Sequence, residues 1–174
     1  MAFSEKFRSS KFRSSSSSSN NHGLTSILIF IYRFLQLVLA LTVCGLYGVD
    51  LNNARKAHVY ADSKWVYAEV VGGFAAFTCI VYMIMVALGG VGRVRWGFGW
   101  DLILFILWIA LFGVFGKLYI KTNAEGDAGI QRMKNAVWVD LINALLWLFS
   151  AVGGAVAFFF FGERRSLHTG RAAV

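Results

Sequence analysis

The sequence predicts an all-α membrane protein built as an antiparallel four-helix transmembrane bundle. Of its 174 residues, 57% are hydrophobic and 15% are charged, and the mean hydropathy is +0.61, which leaves too little polar surface for a soluble domain. The apolar residues fall into four segments, each long enough to cross a hydrocarbon core of about 30 Å. The connections are short and proline is absent, so we expect one membrane domain of uninterrupted helices over residues 24–161.

Residues 1–23 are expected to form a disordered, cytosolic arm rich in serine and basic residues. Four Lys and Arg and three Phe precede a run of six Ser, and a segment with so few aliphatic residues cannot bury enough surface to fold. One interpretation is a solvated tail that helps to fix orientation. The other is a tail held on an anionic leaflet and released by serine phosphorylation, with candidate sites at Ser9, Ser10 and Ser14.

The first predicted transmembrane helix runs from Leu24 to Val49, about 40 Å at 1.5 Å per residue. Arg33 is its single charged residue. At 100° per residue, Arg33 shares a face with polar, small and aromatic residues, and bulky aliphatic residues lie opposite. Because lipid penalises polar contacts, the first face should pack against other helices. Its members are Arg33, Gln36, Ala40, Cys44, Tyr47 and Gly48.

The second predicted helix covers residues 66–88, and small residues dominate its inward face. Gly72 and Ala76 have the small-xxx-small spacing that allows two helix backbones to approach closely. The inward face is predicted to consist of Glu69, Gly72, Gly73, Ala76, Cys79 and Met83, with Val71, Phe74, Thr78 and Met85 opposite.

The third predicted helix, residues 100–120, carries two faces that could contact neighbours. Small or polar residues on two sides are what a helix with two neighbours needs. One face holds Asp101, Trp108, Phe112, Phe115 and Tyr119, and the other holds Ala110, Gly113 and Lys117.

The fourth predicted helix, residues 136–161, has a polar and small-residue face and a bulky face. The cluster Phe158–Phe161, together with Trp147, is predicted to offer a rough surface for lipids or partner helices. Residues 162–174 are predicted to form a short cytosolic tail. The inward face is Asp140, Asn143, Ala144, Trp147, Ala151 and Gly154.

The distribution of basic residues predicts the orientation in the membrane. The N-terminal arm, the turn with Arg93 and Arg95, and the C-terminal tail together hold nine Lys and Arg against Glu5 and Glu163. In the other two loops acidic residues nearly cancel the basic ones. Because Lys and Arg favour the cytosolic side, we expect both termini to be cytosolic.

Seven polar residues at membrane depth are predicted to have structural roles. A charge there costs several kcal/mol unless it is paired or reaches the surface. We therefore expect Arg33 to pair with Asp101, and Lys117 to pair with Asp140 or Glu69. An ion or proton pathway is the alternative interpretation. The seven residues are Arg33, Gln36, Glu69, Asp101, Lys117, Asp140 and Asn143.

The sequence offers no catalytic, metal or cofactor motif, so we expect a non-enzymatic protein without a cofactor. The three His are scattered outside the predicted helices, which gives no set of groups for catalysis. The glycine-rich turn at residues 89–100 has no preceding strand and no following Lys-Ser/Thr, unlike a nucleotide-binding loop. The acidic residues of the loops lack the spacing of a calcium site.

Three segments resemble MARVEL-domain proteins. The sequence IYRFLQLVLALTVCGLYG, with Arg33 and Gln36, resembles the first helix of that family. WDLILFILWIALFGVFGKLYI, which includes Asp101, and GDAGIQRMKNAVWVDLINALLW resemble the third and fourth segments of its fungal members. The resemblance covers residues 24–161 and implies an M-shaped four-helix protein of plasma or vesicle membranes. It also implies a role in membrane apposition, lipid microdomains and trafficking.

We therefore expect a multi-pass scaffold that organises a membrane domain. The expected partners are membrane lipids, with sterol and sphingolipid as candidates, and other membrane proteins or further copies of this chain; nucleic acid is not expected. The alternative is a small channel or transporter that uses the intramembrane charges.

Overall fold

The computed structural model describes residues 15–60, 62–89, 97–123 and 125–162, with side chains between residues 23 and 160. Within these ranges the chain is helical and contains no strand. All four helices contain apolar stretches long enough to cross a membrane, so the fold is compatible with a multi-pass integral membrane protein. The helices are α1 (Ser15–Lys56), α2 (Ser63–Ala87), α3 (Phe98–Tyr119) and α4 (Ala128–Gly162).

Two helices are longer than the apolar segments predict. Helix α1 begins nine residues before Leu24, because proline is absent and each added residue gains a backbone hydrogen bond once a helix has nucleated. The helical part of the arm therefore includes residues 15–23. The expectation of disorder for residues 1–14, including Ser9, Ser10 and Ser14, lies outside the described residues, as does the tail beyond Gly162.

Two aspartates cap the helices that follow the loops. The Asp62 carboxylate accepts a hydrogen bond from the backbone N–H of Lys64 at 3.0 Å, and Asp127 accepts one from the N–H of Gly129 at 2.6 Å. Such bonds satisfy N–H groups that have no partner within the helix. The Lys64 N–H and ammonium also hold the pKa of the Asp62 carboxyl below its usual value.

The helices form a closed up-down-up-down bundle in which sequence neighbours are also spatial neighbours. The contacts between α1 and α2 and between α3 and α4 are the most extensive, and α1 with α4 and α2 with α3 complete the ring. Hydrogen bonds cross the narrower interfaces: Tyr32 of α1 donates to the Leu146 carbonyl, and Trp100 donates to Thr78 Oγ1 at 3.0 Å. These contacts place α1 parallel to α3, with α2 and α4 antiparallel to both.

Large aromatic residues and alanines fill the core together. Trp108, Trp147 and Tyr47 are fully buried, and the Tyr47 and Phe115 ring centroids are 4.4 Å apart. Alanines between them allow the backbones to approach, as expected of helices packed in lipid. The outer surface consists of exposed Leu, Ile, Val and Phe side chains.

The predicted inward faces of α1 and α4 are confirmed, and those of α2 and α3 need correction. Val71 and Thr78 of α2 were predicted to face outward but are buried, because α2 contacts both α1 and α3 and Trp100 covers Thr78. The second predicted face of α3 is exposed throughout. Trp147 is buried in the core and forms no part of the outer surface.

Candidate functional site

The predicted pair between Arg33 of α1 and Asp101 of α3 forms in the bundle interior. Arg33 Nη2 lies 2.7 Å from Asp101 Oδ2, and Nη1 lies 3.5 Å from Oδ1. Arg33 is 4% exposed and Asp101 is 1% exposed. The guanidinium fork and the carboxylate meet through two contacts, the arrangement that charge-assisted pairing favours.

Residues from all four helices surround this ion pair. Arg33 Nη1 donates to Gln36 Oε1 at 2.9 Å, and the Ser150 hydroxyl of α4 donates to Asp101 Oδ2. The guanidinium carbon lies 4.3 Å from the ring centroid of Tyr82 of α2 and 5.3 Å from that of Trp147, distances suited to cation–π attraction. We call this set the charge cluster: Arg33, Gln36, Tyr82, Asp101, Trp147 and Ser150.

A second polar contact lies closer to the other end of the bundle. The Tyr47 hydroxyl donates to Asp140 Oδ2 at 2.7 Å, and Asp140 is fully buried. One turn along α4, the Asn143 amide donates to the Val139 carbonyl at 3.1 Å. The Tyr47–Asp140 bond ties α1 to α4, and the Phe115 ring of α3 packs against the Tyr47 ring.

The predicted pairing of Lys117 is wrong. Lys117 is exposed and makes no ion pair with any described residue. Asp140 is bonded to Tyr47 instead, and Glu69 lies against Cys44 and Gly48 of α1. Lys117 follows Asp101 by sixteen positions, which places it about 160° from the buried face of α3.

A further ion pair was missed by the sequence analysis. Arg132 of α4 lies 2.5 Å from Asp50 of α1, and both side chains are largely buried. Both residues were predicted to lie in loops, but each belongs to a helix that extends beyond its apolar segment. The capping residue Asp127, just before Ala128, was the sequence signal for the earlier start of α4.

Several buried polar atoms in the core have no hydrogen-bond partner among the described residues. Their residues belong to α1, α3 and α4 and are fully buried. They are Gln36 Nε2, Trp108 Nε1, Trp147 Nε1, Asn143 Oδ1 and Asp140 Oδ1.

Two cavities lie at the bundle periphery, one near each end. The first, of about 440 Å³, is a groove between α1 and α4 whose inner end reaches Arg33, Asp101 and Ser150. The second, of about 510 Å³, lies along the last turns of α1 between Gly48 and Val59. Within the described ranges, no three His, Cys, Asp or Glu side chains come together as a metal site.

Comparisons of the chain with protein-family models, with curated proteins and with solved structures give no match. The resemblance to MARVEL-domain proteins therefore stays a prediction.

Proposed function

We propose that this chain is a non-enzymatic membrane scaffold, which organises a plasma-membrane or vesicle-membrane domain through lateral contacts with lipids and membrane proteins. The observation that carries the proposal is the separation of its two surfaces. Arg33 pairs with Asp101 and Asp140 accepts a hydrogen bond from Tyr47 inside the bundle, and the outside consists mainly of exposed aliphatic and aromatic side chains. An interior fixed in this way leaves the outer surface as the part available for interaction.

The exposed phenylalanines of α4 are the proposed centre of the lateral contacts. Phe149, Phe159 and Phe160 are each more than 60% exposed. Aromatic side chains offer large, rigid contact areas at low entropic cost. The resemblance to MARVEL-domain proteins also supports the proposal, because it implies a role in membrane apposition and lipid microdomains.

Clustering in a reconstituted membrane tests this proposal. The purified full-length chain carries a fluorophore and is placed in giant vesicles containing sterol, sphingolipid and phospholipid. We expect energy transfer between labelled copies, or co-enrichment of one lipid class, that falls when Phe149, Phe159 and Phe160 are replaced by Ala. Replacing Phe74 and Phe77 of α2 by Ala is the matched control, because these residues are also exposed but lie on another side of the bundle.

A small channel or transporter is the second candidate, favoured by the unpartnered polar atoms in the core. Donor and acceptor groups placed in series could carry protons or ions if water joined them. Liposome flux separates the two candidates. Flux that is lost in Glu69→Gln or Asp140→Asn supports transport, and clustering without flux supports the scaffold.

A further inference from the structure

The groove between α1 and α4 has the dimensions of a site for one lipid chain. It extends from Thr25 to Arg33 on α1 and from Phe149 to Ala157 on α4, a length of about 12 Å along each helix. Its volume of about 440 Å³ falls within the range of about 300–1,000 Å³ for small-molecule pockets. A helix 10–12 Å across would need about 1,000 Å³ over that length, so the groove is too narrow for a partner helix to sink into it.

The surface of the groove selects an apolar occupant. Leu28 and Ile29 line the α1 side, and Gly153, Gly154 and Ala157 leave a shallow wall on the α4 side. Arg33 and Asp101 close the inner end, but they are almost fully buried and bonded to each other. The lining therefore offers hydrocarbon contact along its length and little to a charged ligand.

The positive charge of the terminal segments favours a lipid with an anionic headgroup. The outer end of the groove lies near the point where the apolar part of α1 begins at Leu24 and near the end of α4 at Gly162. The sequence directly after α4 contains Arg164 and Arg165, seven and eight residues beyond Ala157. Lys6, Arg8, Lys11 and Arg13 precede Ser15, the first residue of α1, and are farther from the groove. Basic residues beside a membrane attract anionic lipids, each contributing about 1 kcal/mol.

We propose that the α1–α4 groove binds one acyl chain of an anionic phospholipid, with the phosphate headgroup at the end of the bundle where these basic segments attach. The inference rests on the proposed function, because it names the class of lipid that the scaffold binds and the groove in which that lipid is held. The groove that selects the lipid is formed in part by α4, the helix that also carries the exposed phenylalanines.

Photolabelling of the full-length chain tests the site. The chain is reconstituted in nanodiscs with a phosphatidylserine that carries a diazirine in one acyl chain, and the labelled peptides are mapped by mass spectrometry. We expect labelling within residues 25–33 and 149–157 that unlabelled phosphatidylserine displaces better than phosphatidylcholine. Equal displacement by the two lipids, or labelling spread over all four helices, overturns the proposal.

A matched pair of glycine variants identifies the groove as the site. Space is open around Gly153, which lines the groove, and around Gly113, an exposed residue of α3. Gly153→Leu should lower groove labelling about tenfold, the effect of excluding one or two methylene groups, and Gly113→Leu should not. Equal labelling of the two variants contradicts the site.

A second copy of the chain is the competing occupant. A Gly153→Cys variant that forms disulfide-linked dimers in nanodiscs at high yield would place another chain on the groove and overturn lipid binding there. The two proposals fail separately. Loss of clustering with intact phosphatidylserine labelling refutes the scaffold, and clustering without preference for phosphatidylserine refutes the lipid site.

Discussion

Arg33 is stable inside the bundle because each part of its side chain has a partner. Its charge is balanced by Asp101, one N–H bonds to Gln36, and the flat guanidinium faces the Tyr82 ring. Asp101 and Tyr82 come from two other helices, so the full set of contacts forms only when the helices assemble in one order. We infer that the charge cluster contributes more to the specificity of assembly than to its net free energy.

Breaking the Arg33–Asp101 pair should strongly destabilise the bundle. Arg33→Met leaves a buried carboxylate without its cation, and Asp101→Asn leaves a buried guanidinium without its anion. Each single change should lower the free energy of unfolding by about 3–5 kcal/mol. Thermal unfolding in detergent micelles, followed by tryptophan fluorescence, measures the loss.

The double variant and a charge control separate pairing from simple packing. Arg33→Met with Asp101→Asn should recover most of the loss, because no unpaired charge is left inside. Lys117→Met should change stability by less than about 0.5 kcal/mol, because Lys117 is exposed. If Arg33→Met behaves like Lys117→Met, the ion pair has no structural role.

Tyr47 is expected to stabilise the fold through its hydroxyl group. Tyr47→Phe preserves the ring packed against Phe115 but leaves both oxygens of Asp140 without a donor among the described residues. The cost should be about 1–3 kcal/mol, measured by the same unfolding assay. Tyr60→Phe is the control, because Tyr60 is fully exposed and should show no change. An equal effect of Tyr47→Phe in an Asp140→Ala background, which has no side-chain acceptor, would contradict the proposed bond.

Helical phase explains why some polar contacts were predicted and others were not. Arg33, Gln36 and Asp101 lie on the inward faces that periodicity identifies, and Arg33 lies in the half of the first apolar segment that is level with the start of α3. Lys117 was paired with Asp140 or Glu69 because of their similar depth in the membrane. That pairing is wrong because Lys117 is on the outer face of α3. The Ser150 bond to Asp101 could not be foreseen, since it depends on the rotation of α4 against α3.

At the scale of the element, close contact between α1 and α2 depends on one glycine. A Cβ at Gly72 would lie 2.5 Å from Cys44 Sγ and 3.4 Å from the Ala40 carbonyl oxygen. The sequence analysis identified Gly72 from its small-xxx-small spacing with Ala76, and the structure shows that Gly72 faces α1. No such restriction applies to Gly73, where space is open.

Gly72→Ala should therefore destabilise the helix pair, and Gly73→Ala should not. The expected cost at Gly72 is about 1–3 kcal/mol from overpacking. Gly73→Ala should be neutral or stabilising by up to about 1 kcal/mol, because alanine favours a helix. Adding Cys44→Ala to Gly72→Ala should restore part of the loss. Thermal unfolding of the four proteins provides the comparison, and equal effects at the two glycines would contradict close packing at Gly72.

Helix ends were the least predictable part of the elements. Hydrophobicity identifies the part of a helix that prefers lipid, but α1 and α4 continue into polar sequence that hydropathy assigns to loops. The Asp50–Arg132 contact stabilises those extensions by joining them in a partly buried ion pair. Such a contact becomes visible only when the two helices are placed side by side.

At the scale of the whole molecule, charge is distributed unevenly between the two ends of the bundle. Nine Lys and Arg belong to the three segments at the end with both termini, against two acidic residues. The loops at the other end are almost neutral. Such asymmetry orients helices during insertion, so we expect the basic end to lie on the cytosolic side.

The bundle predicts that both termini are on one side of the membrane and the α1–α2 and α3–α4 loops are on the other. In a Cys44→Ala and Cys79→Ala background, single cysteines at His58 and Asn123, both exposed, should react with a membrane-impermeant maleimide applied outside intact cells. Cysteines at Ala2 and Ala173 should react only after the membrane is permeabilised. Four crossings return the chain to the side on which it started, so the two terminal cysteines must behave alike, and so must the two loop cysteines. A different result within either pair contradicts the four-span fold. The opposite result for both pairs retains the fold and reverses its orientation, which would show that the basic end is not the one held in the cytosol.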